Sequence, residues 1–234
     1  MVNQYADEIF SLGAELTQRV RSKEPGMPVA LNVGIVNSIP KLVAYRTLAP
    51  AMSMADPIRV VCWEADLDRL LGDLAVHRLD LVLSDRPVPT GLNVKAYNHP
   101  LGSSPVAMFA GKKLVTKYRK GFPESLQDAP LLMPVNTSAL RRGLDEWLDR
   151  HGVTPNVVAE FDDSALMKAF GEAGTGIFPA PLAIEAEVEH MYHARSIGTV
   201  DGLKESYFAI SPERKIKHPA VLQITAAARE GLFV

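Results

Sequence analysis

Cysteine is nearly absent from these 234 residues, and the single thiol, Cys62, rules out a disulfide framework. It sits in the apolar run Val60–Val61–Cys62–Trp63 and reads as a buried, reduced thiol. An excess of one charge is missing too, since 25 Lys and Arg stand against 27 Asp and Glu, a formal net charge of −2. Nucleic-acid binding usually leaves a basic footprint, and these residues supply none. The densest basic run, Lys112, Lys113, Lys117, Arg119 and Lys120, is interrupted by apolar residues. It reads as a solvated sheet edge that discourages association, with a partner surface as the alternative. No apolar run approaches the ~18 residues of a membrane span. The opening Met1–Val2–Asn3–Gln4–Tyr5 lacks the basic start of an export signal. The expectation is a cytoplasmic protein with no membrane contact.

Catalytic signatures are equally scarce. There is no G-x-S-x-G elbow, no Walker loop and no H-E-x-x-H. Gly171, Gly174 and Gly176 straddle a helix end instead of opening a helix, which does not suit a dinucleotide fingerprint. Glu187, Glu189, His190 and His193 are the one group that could attract a metal. Structural zinc usually needs four tight ligands, so this group reads as a solvated acidic helix. His77, His99, His151 and His218 are isolated. An enzyme would need an acid–base pair in a crevice, and Glu64 with Asp163 is the one pair to test. The expectation is therefore no enzyme, no catalytic residue, no metal site and no cofactor.

What is present is ordinary globular material, 47% apolar and 22% charged. The length suffices for one large domain or two small lobes. Val2, Tyr5, Ile9, Leu12, Leu16 and Val20 step by three or four, close to the coiled-coil period. An amphipathic helix lying on its own domain has a similar stripe, and three heptads do not separate the two. Glu24–Pro25–Gly26 ends this helix.

Strands and helices then alternate. Val29 to Val36 and Ile58 to Trp63 read as strands, and so does Leu79 to Leu83. Between the first two lies a helix starting at Asn37–Ser38–Ile39–Pro40, with Ser38 as N-cap and a stripe of Leu42, Tyr45, Ala49 and Met52. Leu67, Leu70, Leu71 and Leu74 mark a second helix. Successive β-α-β units with apolar strands predict a parallel sheet covered on both faces. Val94 to Val115 reads as two strand-like stretches around Pro100–Leu101–Gly102–Ser103–Ser104. Leu131 to Val135 leads into a helix start at Asn136–Thr137–Ser138, and that helix ends at Gly152. Val157 to Phe161 is a strand, and Asp162–Asp163 caps the next helix, which bears Leu166, Met167 and Phe170. Short strands follow near Ser196 to Thr199 and Tyr207 to Ile210, then a helix from Pro219 to about Gly231. Two α/β units in one chain predict two lobes with a crevice between them. In open sheets, ligands sit beyond the carboxyl ends of the strands, near helix N-termini. Asn37–Ser38, Asn136–Thr137–Ser138 and Asp162–Asp163 are such turns, and Glu64, Asp85 and Asp162 would suit a hard cation.

The segment Tyr5–Ala6–Asp7–Glu8–Ile9–Phe10–Ser11–Leu12–Gly13–Ala14–Glu15–Leu16 resembles the linker helix of LysR-type transcriptional regulators. It is most similar to the branch that activates a sodium/proton antiporter gene. Leu31–Asn32–Val33–Gly34–Ile35–Val36–Asn37–Ser38–Ile39–Pro40–Lys41 resembles that branch's first strand and helix start. The resemblance implies an α/β, two-lobed fold like that of type II periplasmic binding proteins, preceded by a linker helix. It implies a linker and dimerisation helix over 1–24, lobe I over 27–96 plus 195–234, and lobe II over 97–194. The implied function is effector sensing for a transcriptional activator, with sodium, lithium or pH as the signal. A solute-binding protein of the same fold is the alternative, discriminated by export. Effector contacts carried over by matching positions are Ser38, Ile39, Trp63 and Glu64 in lobe I. In lobe II they are Met133, Pro134, Asn136, Thr137, Phe161 and Asp162. The implied partners are a small effector or cation between the lobes and a second copy of the chain, as a homodimer or higher homo-oligomer. In that dimer the helix after Pro40 lies against the partner's helix after Ser138. DNA would be reached only through an N-terminal winged helix-turn-helix, and this sequence begins at the linker.

Overall fold

The computed structural model describes residues 29–54, 58–91, 95–136, 138–214, 218–231 and 233, together with Gly13. The expected linker helix over 1–24, Gly13 apart, and Thr137 lie outside the described residues.

Strands β1 (Val29–Val36), β2 (Ile58–Ala65) and β3 (Leu81–Ser84) form the parallel part of a six-stranded sheet ordered β2-β1-β3-β8-β4-β7. Central β1 is buried through Leu31, Val33, Ile35 and Val36, as an apolar run covered on both faces should be. Edge strand β2 differs. Arg59, Cys62, Trp63 and Glu64 are exposed along it, so the expected buried thiol is on the surface and the covering is incomplete there. Desolvation first, then the Glu64 carboxylate, holds the Cys62 thiol above its ordinary range. Exposure therefore does not make it reactive.

Helix α1 (Lys41–Met52) follows β1, and α2 (Leu67–Ala75) follows β2. The buried face of α1 is Val43, Ala44, Thr47, Leu48 and Ala51, not the expected stripe. Small residues on that face let α1 lie close to α7 (Pro219–Gly231). Tyr45 is left 68% exposed and Met52 62%. Ser38 does not cap the helix; Pro40 occupies the N-cap position and no side chain completes it.

Two long antiparallel strands, β4 (Tyr97–Gly111) and β8 (Ala194–Ser211), join the halves of the molecule. Each was expected as two shorter stretches, because Pro, Gly and Ser read as breaks. The ladder instead runs on through bulges at Pro100/Gly102, Pro105/Val106 and Met108/Phe109. Gly102 has φ +144, and a Cβ there would meet Phe233 at 2.4 Å, so the bulge needs glycine. β4 begins at Tyr97 and β8 at Ala194, and the bodies of both strands run through both halves. The basic run begins not a sheet edge but helix α3 (Lys112–Tyr118).

The second half holds the pair β5 (Pro130–Pro134) and β6 (Asn156–Phe161), parallel to one another, and β7 (Phe178–Pro181), which pairs with β4. Helix α4 (Ala139–His151) starts at N-cap Ser138 and ends at Gly152, whose φ of +63 is the left-handed turn that glycine provides. Helix α5 (Ser164–Glu172) starts at N-cap Asp163, and α6 (Glu185–Tyr192) follows a short 3₁₀ turn. One buried cluster runs from β1 and β3 through Phe109, Phe178 and Tyr207 to α7. Another surrounds Trp147.

Candidate functional site

The carboxyl ends of β1, β2, β3, β5 and β6 converge on one crevice, the place where open α/β sheets bind ligands. The cavity there measures about 540 Å³. Lobe I contributes Asn37 and Ser38 after β1, Asp66, Asp68 and Arg69 after β2, and Asp85 and Arg86 after β3. Lobe II contributes Pro134, Val135 and Ser138 after β5, then Phe161, Asp162, Ser164 and Lys168 from β6 and α5. Pro179 and Pro181 of β7 and Glu205 of β8 complete the wall.

Four of the ten expected site residues line this space: Ser38, Pro134, Phe161 and Asp162. Ile39 and Met133 are buried in the cores behind it, 2% and 0% exposed. Trp63 and Glu64 lie on the exposed β2 edge, where Glu64 pairs with Lys41 at 2.6 Å. Asn136 is exposed and not part of the lining, and Thr137 lies outside the described residues. The Glu64–Asp163 pair is not brought together in the crevice. Asp163 Oδ1 accepts instead from the amides of Ala165 and Leu166, at 2.6 and 3.2 Å.

Lys168, Ser164 and Glu205 were missed. Lys168 is 2% exposed, and its ammonium donates to Ser164 O at 3.1 Å. Burial pushes it down to about 8, offset in part by the charges of Glu205 and Asp163. Glu205 is driven up to about 7 by burial, against the opposing pull of the Tyr207 hydroxyl and Lys168. Tyr207 donates to Glu205 Oε2 at 2.9 Å. Burial, then the neighbouring Glu205, keeps the Tyr207 phenol protonated well past its ordinary range. Among the described residues, the oxygens Ser38 Oγ, Ser164 Oγ and Asp85 Oδ1 are buried without a hydrogen-bond partner. A signal for Lys168 existed: it shares the buried face of α5 with Met167 and Gly171, and a lysine on an apolar face is rarely idle. Glu205 offered less, only its position two residues from buried Tyr207 on the same strand face.

The other acidic and histidine group is dispersed into ion pairs. Glu187 meets Arg46, Glu189 meets Arg195, and His193 Nδ1 lies 3.0 Å from Glu172 Oε1. Among the described residues no group of three or more metal-type ligands forms.

Two lobes strung on a pair of long strands, with a polar cleft at the strand ends, define the type II periplasmic-binding architecture used by regulatory domains. The LysR substrate binding domain family matches residues 29–232, and the chain belongs to that family. It is 31% identical over 233 residues, all of this chain and 76% of the relative, to the transcriptional activator protein NhaR of Escherichia coli (strain K12). The same figures hold for NhaR of Shigella flexneri. Among solved structures, the effector binding domain of QuiR in complex with shikimate is similar, with TM-score 0.65 and 14% identity over 89% of this chain and 100% of that one. The regulatory domain of HypT from Salmonella typhimurium gives TM-score 0.64 and 16% identity over 88% and 96%. The reduced regulatory domain of OxyR2 from Vibrio vulnificus gives 0.66 and 14% over 88% and 97%. The chain is thus an effector-sensing regulatory domain of the LysR type.

Proposed function

We propose that this domain controls a transcriptional activator by binding its effector in the 540 Å³ interlobe cleft, and that it carries no enzymatic activity. The observation that carries the reading is the set of buried, unpartnered oxygens of Ser38, Asp85 and Ser164 in that cleft. Orphaned polar atoms are costly unless something completes them. Full-length identity to an activator favours a regulator over an exported solute-binding protein. No described helix is long and apolar enough to cross a membrane, which fits action in the cytoplasm.

The signal implied by the family resemblance of the sequence is sodium, lithium or pH. The effector shifts the balance between lobe or subunit arrangements by its differential affinity for them. A second copy of the chain is the natural partner. Tyr45 and Met52 of α1 and Trp63 of β2 are exposed large apolar side chains of the kind a homodimer would bury. DNA would be contacted through a separate N-terminal domain.

Thermal unfolding in sodium, lithium, potassium and choline chlorides at matched ionic strength and several pH values tests the cation signal. A ligand that binds the folded state raises the Tm by mass action, while matched salts cancel screening. Sodium and lithium should stabilise beyond potassium and choline, with the gap lost in Asp85→Asn and Asp162→Asn. Equal effects of all four salts at every pH would remove the cation signal and leave the effector cleft.

A further inference from the structure

The cleft holds charges of both signs that do not satisfy each other. Among the described residues, the one hydrogen bond of Lys168 Nζ goes to the backbone oxygen of Ser164, so two of its three donor positions remain. The hydroxyls of Ser38 and Ser164 are buried beside the same cavity without partners. On the other side stand Glu205, with one oxygen on the Tyr207 hydroxyl, and Asp85, with one buried oxygen unpartnered. Lys168 and Glu205 attract one another through space, yet the ammonium is bonded elsewhere.

A lone anion would complete Lys168 and the two serines while lying close to two carboxylates. A lone cation would complete Asp85 and Glu205 while facing a buried ammonium. A cavity of about 540 Å³ also matches organic-ligand pockets, roughly 300–1,000 Å³, far better than a bare ion. Among the described residues neither buried Lys168 nor half-buried Glu205 has a close counter-ion, the situation in which such charges are most expensive. A molecule carrying the reverse polarity, inserted between them, removes both deficits together.

We propose that the cleft takes a small zwitterion, an amino acid or ω-amino acid, with its carboxylate on Lys168, Ser38 and Ser164 and its ammonium on Asp85 and Glu205. The inference rests on this cleft being the effector site and goes beyond the cation signal proposed above.

The test is thermal unfolding of the full chain with the coded amino acids, β-alanine and γ-aminobutyrate at millimolar concentration. Acetate and propionate supply the carboxylate alone, propylammonium the amine alone, and sodium and lithium chlorides the bare cation, all at one ionic strength. At least one zwitterion should raise the Tm by several degrees while the single-charge compounds do not. Calorimetry with that compound should show affinity weakened tenfold or more in Lys168→Met and in Glu205→Gln. Circular dichroism establishes that each variant is folded, and if one is not, the other decides. A panel in which no zwitterion acts overturns the proposal. So does a carboxylate or an amine alone that stabilises as well as the best zwitterion. Sodium or lithium acting while every zwitterion is silent removes this inference and leaves the cleft as the effector site. Silence from every compound and salt removes the cleft reading as well.

Discussion

Two buried polar side chains in lobe II end in opposite states. Trp147 is fully buried in α4, stacked on Phe122 with ring centroids 5.6 Å apart. Its indole N–H donates to Asp201 Oδ1 at 2.6 Å, and this bond, first among several causes, holds the Asp201 carboxyl below its ordinary range. His151 Nδ1 lies 2.9 Å from the backbone oxygen of Trp147 and closes the group. Lys168, nearly as buried one helix later, has one backbone partner among the described residues and the cleft beside it. The first arrangement is finished and serves stability. The second is unfinished, and a chain that maximised stability would not keep it. The contrast separates the part of this lobe that holds the fold from the part that waits for a ligand.

The largest effect should come from breaking the finished side. Trp147→Ala removes the ring, its stacking and its hydrogen bond, and should cost about 3–5 kcal/mol in urea unfolding. Gly198 lies under the same ring pair, with a Cβ there only 2.3 Å from Phe122. Gly198→Ala should therefore lose about 1–3 kcal/mol through overpacking. On the unfinished side the sign reverses. Lys168→Met replaces a buried ammonium with an apolar chain of similar shape, and should raise stability at pH 7 by about 1–3 kcal/mol. A loss of stability in that variant would mean that the ammonium is already paired, and the contrast would fail.

Titration sharpens the same comparison. Lys168 takes up its proton near 8 in the folded chain and at 10.5 as a free side chain. Between those values the unfolded chain holds more protons, so stability rises as pH climbs from about 8 to 10.5. Glu205 behaves in reverse, with a folded value near 7 against 4.5. There the folded chain holds more protons, so stability falls as pH climbs from 4.5 to about 7. These two groups together place a trough between about 7 and 8, where both are charged. Urea midpoints across this range should lose the upper limb in Lys168→Met and the lower limb in Glu205→Gln. A ligand that neutralises both should make the trough shallower.

Much of the fold was legible because most of it follows local rules. β1 begins and ends where its apolar run does, α4 stops at Gly152, and Asp163 caps α5 as its position before an apolar stripe indicates. Legibility failed where partners distant in sequence decide. β4 was divided around Gly102 and its proline and serine neighbours, whereas continuous pairing with β8 keeps it extended. The buried face of α1 was misread because both of its faces are apolar, and contact with α7 selects the smaller side chains. The cleft was legible as a place, since strand ends and helix starts announce it. Its charges were legible only in part: Asp85 and Asp162 were expected there, but Glu205 lies on a strand with no motif around it, and Lys168 acquires meaning only once α5 turns it inward.

The smallest effects compare two side chains that look interchangeable as helix-start residues. Asp163 accepts from two amides of α5, and Asp163→Ala should cost about 1 kcal/mol, the usual worth of an N-cap. Ser38 stands three residues before α1, yet its hydroxyl caps nothing and among the described residues is buried without a partner in the cleft. Ser38→Ala should therefore leave stability within about 0.5 kcal/mol of the parent, or raise it slightly, because an unsatisfied group is removed. The same substitution should weaken effector binding, which Asp163→Ala should change far less. Ser38 losing as much stability as Asp163 would mark it as a structural cap, and the case for a ligand contact in lobe I would then rest on Asp85 and Glu205.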